Sequence, residues 1–375
     1  MITCDVAVIG AGVVGAAIAD VLAHEGMEVA VLEGEFAGAG STGAAMGHLV
    51  VMDDSPAQLR LCHHSRLRWD AMLPEFPPTV EADRCGTLWL AASDAELAIA
   101  QAKVDRFRRD GVRAELLDAQ QLAEAEPALR PGLAGALRVP DDMVCYPPVI
   151  AQLLLERAVA AGARLLQPVR VLAVESGLVR TAYGDNVSAG AVVVAAGAHS
   201  ASLLPGLPAL PRRGHLAISD RMPISVRHQL VDLGYLDSAH TLGGASVAFN
   251  VQPRRTGQLL VGSSRELVGF DARINRPLVA RMLSRATAFL PALAGAPVSR
   301  TWVGFRPATA DALPLIGRWP AIERTWVATG HEGLGISMAP GTADLIAADL
   351  LGREPPLDPA PFRPERDVAH AGAAA

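Results

Sequence analysis

From Cys4 to Ile9 the chain reads CDVAVI, apolar at nearly every position. A strand with one wet face would alternate, so this one is expected inside a parallel sheet, covered on both sides. From Val13 the apolar spacing turns helical through VVGAAIADVLAHEG and stops at Gly26, and EVAVLE then forms a second buried strand ending on Glu33. Shorter strand-like runs bounded by turn residues follow: CGTLWLAA (85–92), GALRVP (135–140), ASVAFNVQP (245–253) and GQLLVGSS (257–264). AELAIAQAKVDRFRRDG and RPLVARMLSRATAFLP between them read as amphipathic helices. PPVIAQLLLERAVAAGA (147–163) is a helix that opens on prolines and closes on glycine. AGAVVVAAGAHS (189–200) is a buried strand ending in small residues, and TWVATG (325–330) is a strand running through HEGLGIS into a helix expected at roughly 340–350. The pattern shows no internal repeat.

The first strand and helix are joined by Gly10, Gly12 and Gly15, spaced GxGxxG, and Glu33 stands 23 residues beyond Gly10. Gly10 permits a tight turn, Gly12 lets backbone approach a pyrophosphate, and Gly15 lets the helix pack on the strand. The helix start offers free N–H groups and a positive dipole end to phosphates, while Glu33 accepts hydrogen bonds from ribose hydroxyls and repels a 2′-phosphate. A glycine-rich turn alone is a weak signal. Between a strand and a helix, with an acid at this distance, it predicts a dinucleotide site of the NAD or FAD kind.

Composition narrows the partners. Half of the 375 residues are apolar, enough for a sizeable core and about two domains. Thirty-three basic and 39 acidic residues give a charge of -6, which argues against a nucleic-acid or anionic-membrane partner. Cys4, Cys62, Cys85 and Cys145 lie far apart without a CxxC pair, so no zinc ribbon or cysteine-ligated iron–sulfur cluster is expected in this chain. His63 and His64 point to different faces of one helix, so no metal is expected there either. The strand pattern begins by Cys4, leaving no room for a signal peptide. The longest apolar run, 189–198, is shorter than the about 20 residues that span a bilayer. A cytoplasmic chain with reduced thiols is expected, peripheral to the inner membrane only through a partner.

After Glu33 the chain enters FAGAGSTGAAMGHL (36–49), a glycine- and hydroxyl-rich loop suited to lie along a large ligand. The joint at 330–341 is a second glycine-rich passage from strand to helix, over three hundred residues from the first. A flavin explains why two are wanted. The ADP half occupies the first, and the second helix start can face the flavin C2 carbonyl and N1, where charge collects on reduction.

The ordered set GAGVVG, Glu33, STGAAMGHL, VVVAAGAHS, PRRGHL, GFRPATADALPLIG and GHEGLGISMAP resembles the FAD-dependent amine and amino-acid oxidoreductases, the superfamily of D-amino acid oxidase, glycine oxidase, sarcosine oxidase and D-amino acid dehydrogenase. The resemblance spans roughly 4–355. It implies an α/β fold with a discontinuous Rossmann-like FAD-binding domain (1–75, 142–210 and 301–363) and a mainly antiparallel α+β substrate domain (76–141 and 211–300). The tail 364–375 ends in HAGAAA and is expected to be disordered.

The resemblance also implies FAD contacts. Around the first joint and the loop after it these are Gly10, Gly12, Val13, Val14, Gly15, Glu33, Gly34, Ser41, Thr42, Met46, Gly47 and His48. Val169 and Gly197 join them from the middle of the chain, and Gly330, His331, Gly333, Leu334, Gly335 and Ile336 from the second joint. Arg306, in GFRP, matches the arginine that binds the substrate carboxylate in related amino-acid oxidases, a role suited to a planar, bidentate cation. The alternative for Arg306 is a structural pair with an acid such as Asp311. His48 either tunes the flavin or touches substrate, or is a buried, hydrogen-bonded histidine. No general base is assigned, because the neutral amine is the reactive species. Glycine oxidase carries an arginine in its C-terminal loop where this chain has Gly333, so that role does not transfer. The histidine or cysteine pattern of covalent flavin attachment is missing, so FAD is expected to be non-covalent.

GHLVVMDDSPAQLRL and RCGTLWLAAS most resemble the flavin subunits of bacterial dehydrogenases of D-hydroxyproline, proline or opines, in which a partner subunit holds an iron–sulfur cluster. The expected activity is oxidation of an amino acid or secondary amine at its carbon–nitrogen bond. Two alternatives stand beside it: an oxidase that reduces O2 to hydrogen peroxide, and a catalytically silent FAD-binding scaffold.

Overall fold

A computed structural model of the chain describes residues 1–234 and 244–366. Among them, strands assemble into two eight-stranded sheets and one two-stranded ladder. The first sheet is centred on β1 (Ile2–Ile9), which pairs in parallel with β2 (Val29–Leu32) on one side and with Val187–Val194 on the other. Arg164–Leu166 and Thr325–Thr329 extend the parallel core outward, and Leu315–Arg318 closes one edge antiparallel. The all-apolar strands pair where both faces are covered, as their lack of alternation demands. Helix α1 (Val13–His24) connects β1 to β2 and packs against the helices Pro147–Ala160 and Gly335–Leu351.

The second sheet runs in the order Val298–Ala308, Leu210–Ser219, Leu259–Arg265, Ser246–Pro253, Gln229–Asp232, Thr87–Ala91, Gly135–Val139, Glu115–Asp118. Its neighbours are antiparallel except Gln229–Asp232 with Thr87–Ala91, which are parallel. The mixed α/β architecture with a mainly antiparallel second sheet is the one the resemblance implies. Two expectations shift. The boundary at 301 falls inside Val298–Ala308, which pairs along its length with Leu210–Ser219 and so belongs to the second sheet. The tail from 367 on, with HAGAAA, lies outside the described residues, while Arg366 is anchored, its Nε 2.7 Å from Asp311 Oδ2.

The late helix also begins earlier than expected, at Gly335, with Pro340 inside it. Proline has no N–H to give, so the carbonyl of Ile336 loses its helical partner. The Trp69 indole donates to that carbonyl at 3.0 Å, and Ser65 Oγ accepts the next N–H, from Gly341, at 3.1 Å. Both come from the helix Pro56–Met72 alongside. The proline interrupts the helical ladder without ending the helix, because a neighbour fills the gap.

Asp142 is fully buried beside these elements, and burial pushes its carboxyl up to about 7 against the pull of Thr87, the Val51 N–H and Arg66. A carboxyl with a raised folded pKa is neutral in the fold but ionised in the unfolded chain. Its contribution is fully present below about pH 4 and is lost as pH rises through about 7. Asp142→Asn, neutral throughout, is expected to gain stability over the parent by on the order of 2 kcal/mol more at pH 8 than at pH 5. Thermal melts at the two pH values check this; a pH-independent difference would contradict the buried neutral carboxyl.

Candidate active site

A cavity of about 1060 Å³ opens between the carboxyl ends of the first sheet's parallel strands and one face of the second sheet. Its first wall is the β1–α1 joint. Gly10 has φ +105°, and a Cβ there would stand 2.6 Å from the carbonyl oxygen of Ala195, so only glycine takes this turn. Thr42 Oγ1 accepts the N–H of Val13 at 3.0 Å, while the next N–H groups of α1 have no carbonyl of their own helix within reach. Glu33 closes β2 with its carboxylate held by the N–H groups of Ala11 and Glu35, each at 2.8 Å. That leaves further lone pairs for ribose hydroxyls.

The loop expected to lie along the ligand does line the cavity, through Ser41, Thr42, Met46, Gly47 and His48, and Gly34 lines it just before that loop. Gly47 (φ +100°) is pressed against the carbonyl of Cys145, a packing no side chain would allow. Val13, Val14, Val169 and Gly197 complete this side. The second joint adds His331, Gly333, Leu334, Gly335 and Ile336. Ser337, just inside the helix, donates to the His48 carbonyl and accepts the Val50 N–H, each at 3.0 Å. Gly15 and Gly330 stay out of the wall: a Cβ on Gly15 would run into the Gly10 carbonyl, and one on Gly330 would lie 2.8 Å from Thr309 Cγ2. Both serve close packing behind the site.

Three histidines border the cavity, His48, His199 and His331, and burial keeps His48 and His331 neutral at physiological pH. Burial, then the nearby Arg306 charge, pushes His48 down to about 4, and its Nε2 is shielded from water without a hydrogen-bond partner. Burial pushes His331 down to about 3, and its Nε2 pairs with Thr342 Oγ1 at 2.9 Å. His331 thus shapes the joint, whereas His48 keeps a buried, unpartnered Nε2 beside the cavity.

Arg306 lines the cavity from the edge strand of the second sheet, its Nη1 donating to the Ser264 carbonyl at 3.0 Å. It does not pair with Asp311, whose carboxylate is taken by Arg366. Among the described residues the carboxylate near it is Glu332, with Arg306 Nε at 3.9 Å, Arg212 Nη1 at 3.3 Å and Arg265 Nε at 3.8 Å. Burial alone would raise the Glu332 carboxyl, but the three guanidinium groups outweigh it and hold it below its ordinary value. Glu332 itself sits at φ +51°, an uncommon conformation for a residue with a side chain and one that recurs at functional sites. Gly214 faces Arg306 across the strand pair, and a methyl group there would fall on the guanidinium.

Sequence reading missed Glu332, Arg212, Arg265 and Ser337. It missed as well two amides, Gln229 and Asn250, that line the cavity from the middle of the second sheet. Arg212 stood in PRRGHL and Glu332 in GHEGLG without a visible role. Tyr146 and Tyr183 are exposed and away from the cavity, and Tyr235 lies outside the described residues.

Two glycine-rich helix starts opening on one cavity exceed what a nicotinamide needs and define a flavin oxidoreductase. The chain belongs to the FAD-dependent oxidoreductase family DAO, which it matches over residues 5–349. It is 30% identical over 384 aligned residues to a glycine oxidase of Geobacillus kaustophilus, covering 98% of each chain. The crystal structure of a glycine oxidase from Geobacillus kaustophilus superposes with a TM-score of 0.87 at 29% identity, over 98% of this chain and 99% of that one. L-proline dehydrogenase from P. horikoshii shares the fold at a TM-score of 0.87 and 24% identity, over 97% and 98%. The enzyme is therefore FAD-dependent, and its relatives oxidise amino acids or amines. No helix among the described residues is long and apolar enough to cross a membrane.

Proposed function

We propose that this enzyme oxidises the carbon–nitrogen bond of a carboxylate-bearing amine to an imine, with a cyclic secondary amino acid of the proline or D-hydroxyproline type as substrate. The observation that carries the reading is Arg306, a bidentate cation set in the cavity wall. Bound without a covalent link, FAD supplies the acceptor for the hydride equivalent. The chain's own residues do the rest. Arg306 fixes the carboxylate and thereby the orientation of the carbon that reacts, while the buried wall keeps water out. His48 is uncharged at neutral pH, so it can accept a hydrogen bond from the amine without repelling it. The discontinuous unit built on the first sheet would hold FAD, and the unit built on the second sheet would hold substrate.

Trp89, Val231, Gln229 and Asn250 extend the cavity on the second sheet, and glycine has no side chain to meet them. That favours a larger substrate. The electron acceptor divides two readings. A dehydrogenase would pass electrons to a partner subunit carrying an iron–sulfur cluster; an oxidase would reduce O2, a reading supported by the relatives named glycine oxidase. The test is the visible spectrum of the holoenzyme, recorded anaerobically while cis-4-hydroxy-D-proline, proline or glycine is added. Bleaching of the flavin band by a ring amino acid and not by glycine is expected, and bleaching by glycine alone would reverse the substrate assignment. Turnover in air against turnover with a dye then separates oxidase from dehydrogenase.

A further inference from the structure

The second sheet presents amides to the cavity where apolar side chains would be ordinary. Gln229 is 3% exposed and Asn250 6%, and both line the cavity. Gln229 Oε1 and Asn250 Oδ1 are both shielded from water and have no hydrogen-bond partner. Leaving a buried amide oxygen unmet is costly, and buried polar groups are nearly always satisfied. Two such costs on one cavity wall mark places where a ligand supplies the missing partner.

Register explains how they come together. Val231 is paired with Asn250 on one side and with Trp89 on the other, so these three form a row across the sheet. Gln229 precedes Val231 by two residues and therefore points to the same face. Trp89 and Val231 give the row an apolar body, and the amides give it two hydrogen-bonding tips. An amide can donate and accept, as a hydroxyl can, whichever way its oxygen and nitrogen are turned. Neither amide is charged, so neither neutralises a buried ion.

We propose that Gln229 and Asn250 form a side-chain subsite that selects amino or imino acids bearing an uncharged hydroxyl or amide over hydrocarbon counterparts of the same shape. The assignment rests on the reading that the carboxylate is anchored at Arg306 and the side chain points along the second sheet. A hydroxyl donates its one proton to one of the two oxygens, an amide NH2 can donate to both, and a hydrocarbon leaves both orphaned. The preference therefore comes from the penalty on the wrong ligand as much as from attraction to the right one.

The test uses carboxylates without an amine, which bind but are not oxidised. Dissociation constants of cyclopentanecarboxylate and of its 3-hydroxy derivatives are measured on the holoenzyme through perturbation of the flavin absorbance. A hydroxylated isomer is expected to bind about tenfold tighter or more. In Gln229→Met and Asn250→Leu, which replace the orphaned amides by apolar groups of similar size, that ratio is expected to fall toward unity. The flavin spectrum should be kept and the melting temperature should not fall. Equal binding of the pair by the unaltered enzyme overturns the subsite, and so does a preference that survives in both variants. Turnover of hydroxyproline and proline is scored separately. A hydroxyl preference in binding with no turnover of either ring would count against the proposed reaction and leave the subsite standing.

Discussion

Replacing Arg306 by alanine is expected to raise KM for the carboxylate substrate about a hundredfold while FAD remains bound. Truncating one partner of a hydrogen-bonded charge pair in a shielded site costs roughly 2–5 kcal/mol, and each 1.4 kcal/mol is about tenfold. The guanidinium is already held by the Ser264 carbonyl and by the field of Glu332, so little ordering remains when substrate binds. Arg306→Lys keeps the charge without the planar fork and should recover only part of the loss. Gly214→Ala should resemble Arg306→Ala without touching the arginine, because its methyl group displaces the guanidinium. Steady-state kinetics with the flavin content measured alongside would decide. An unchanged KM would transfer the carboxylate role to Arg212 or Arg265, the other cations grouped around Glu332.

Gly12→Asp is expected to give a folded protein that purifies colourless, with FAD affinity reduced more than about a hundredfold. Position 12 has no positive φ, and a Cβ there would meet only Thr42 Oγ1, at 3.2 Å. The fold therefore tolerates a side chain that the cofactor does not. A carboxylate at the start of α1 would occupy the approach that a pyrophosphate needs and repel its charge. Far-ultraviolet circular dichroism should match the parent while the flavin absorbance is lost. A yellow, stoichiometric variant would show that the dinucleotide does not use this helix start.

The first 33 residues announced their structure because every local cue agreed: unbroken apolar strands, glycines at fixed offsets and an acid at the end of β2. Most of the outlying strands were also visible from their turn residues. What escaped depended on register and on neighbours. Gln229 in QLVD and Asn250 in AFNVQ look like solvent-facing positions of alternating strands, and only the pairing to Trp89 and Val231 turns them inward. Pro340 looked like a helix start because nothing local reveals that Trp69, far away in sequence, will accommodate it. Glu332 gave no sign of its three arginines, which arrive from three different strands. Arg306 was legible only because its motif is shared, and its actual neighbours were not those expected.

The strand carrying Arg306 is fastened to the cofactor loop at several points. Ser41 donates to the Phe305 carbonyl, the Trp302 indole donates to the Ala44 carbonyl at 3.1 Å, and Gly304 leaves no room for a side chain beside Ala44. Asn250 and Gln229 stand three and four strands further into the same sheet. On the proposed roles, substitutions in the sheet interior would change which molecule is accepted, while the strand bearing Arg306 and the loop 36–49 stay locked together.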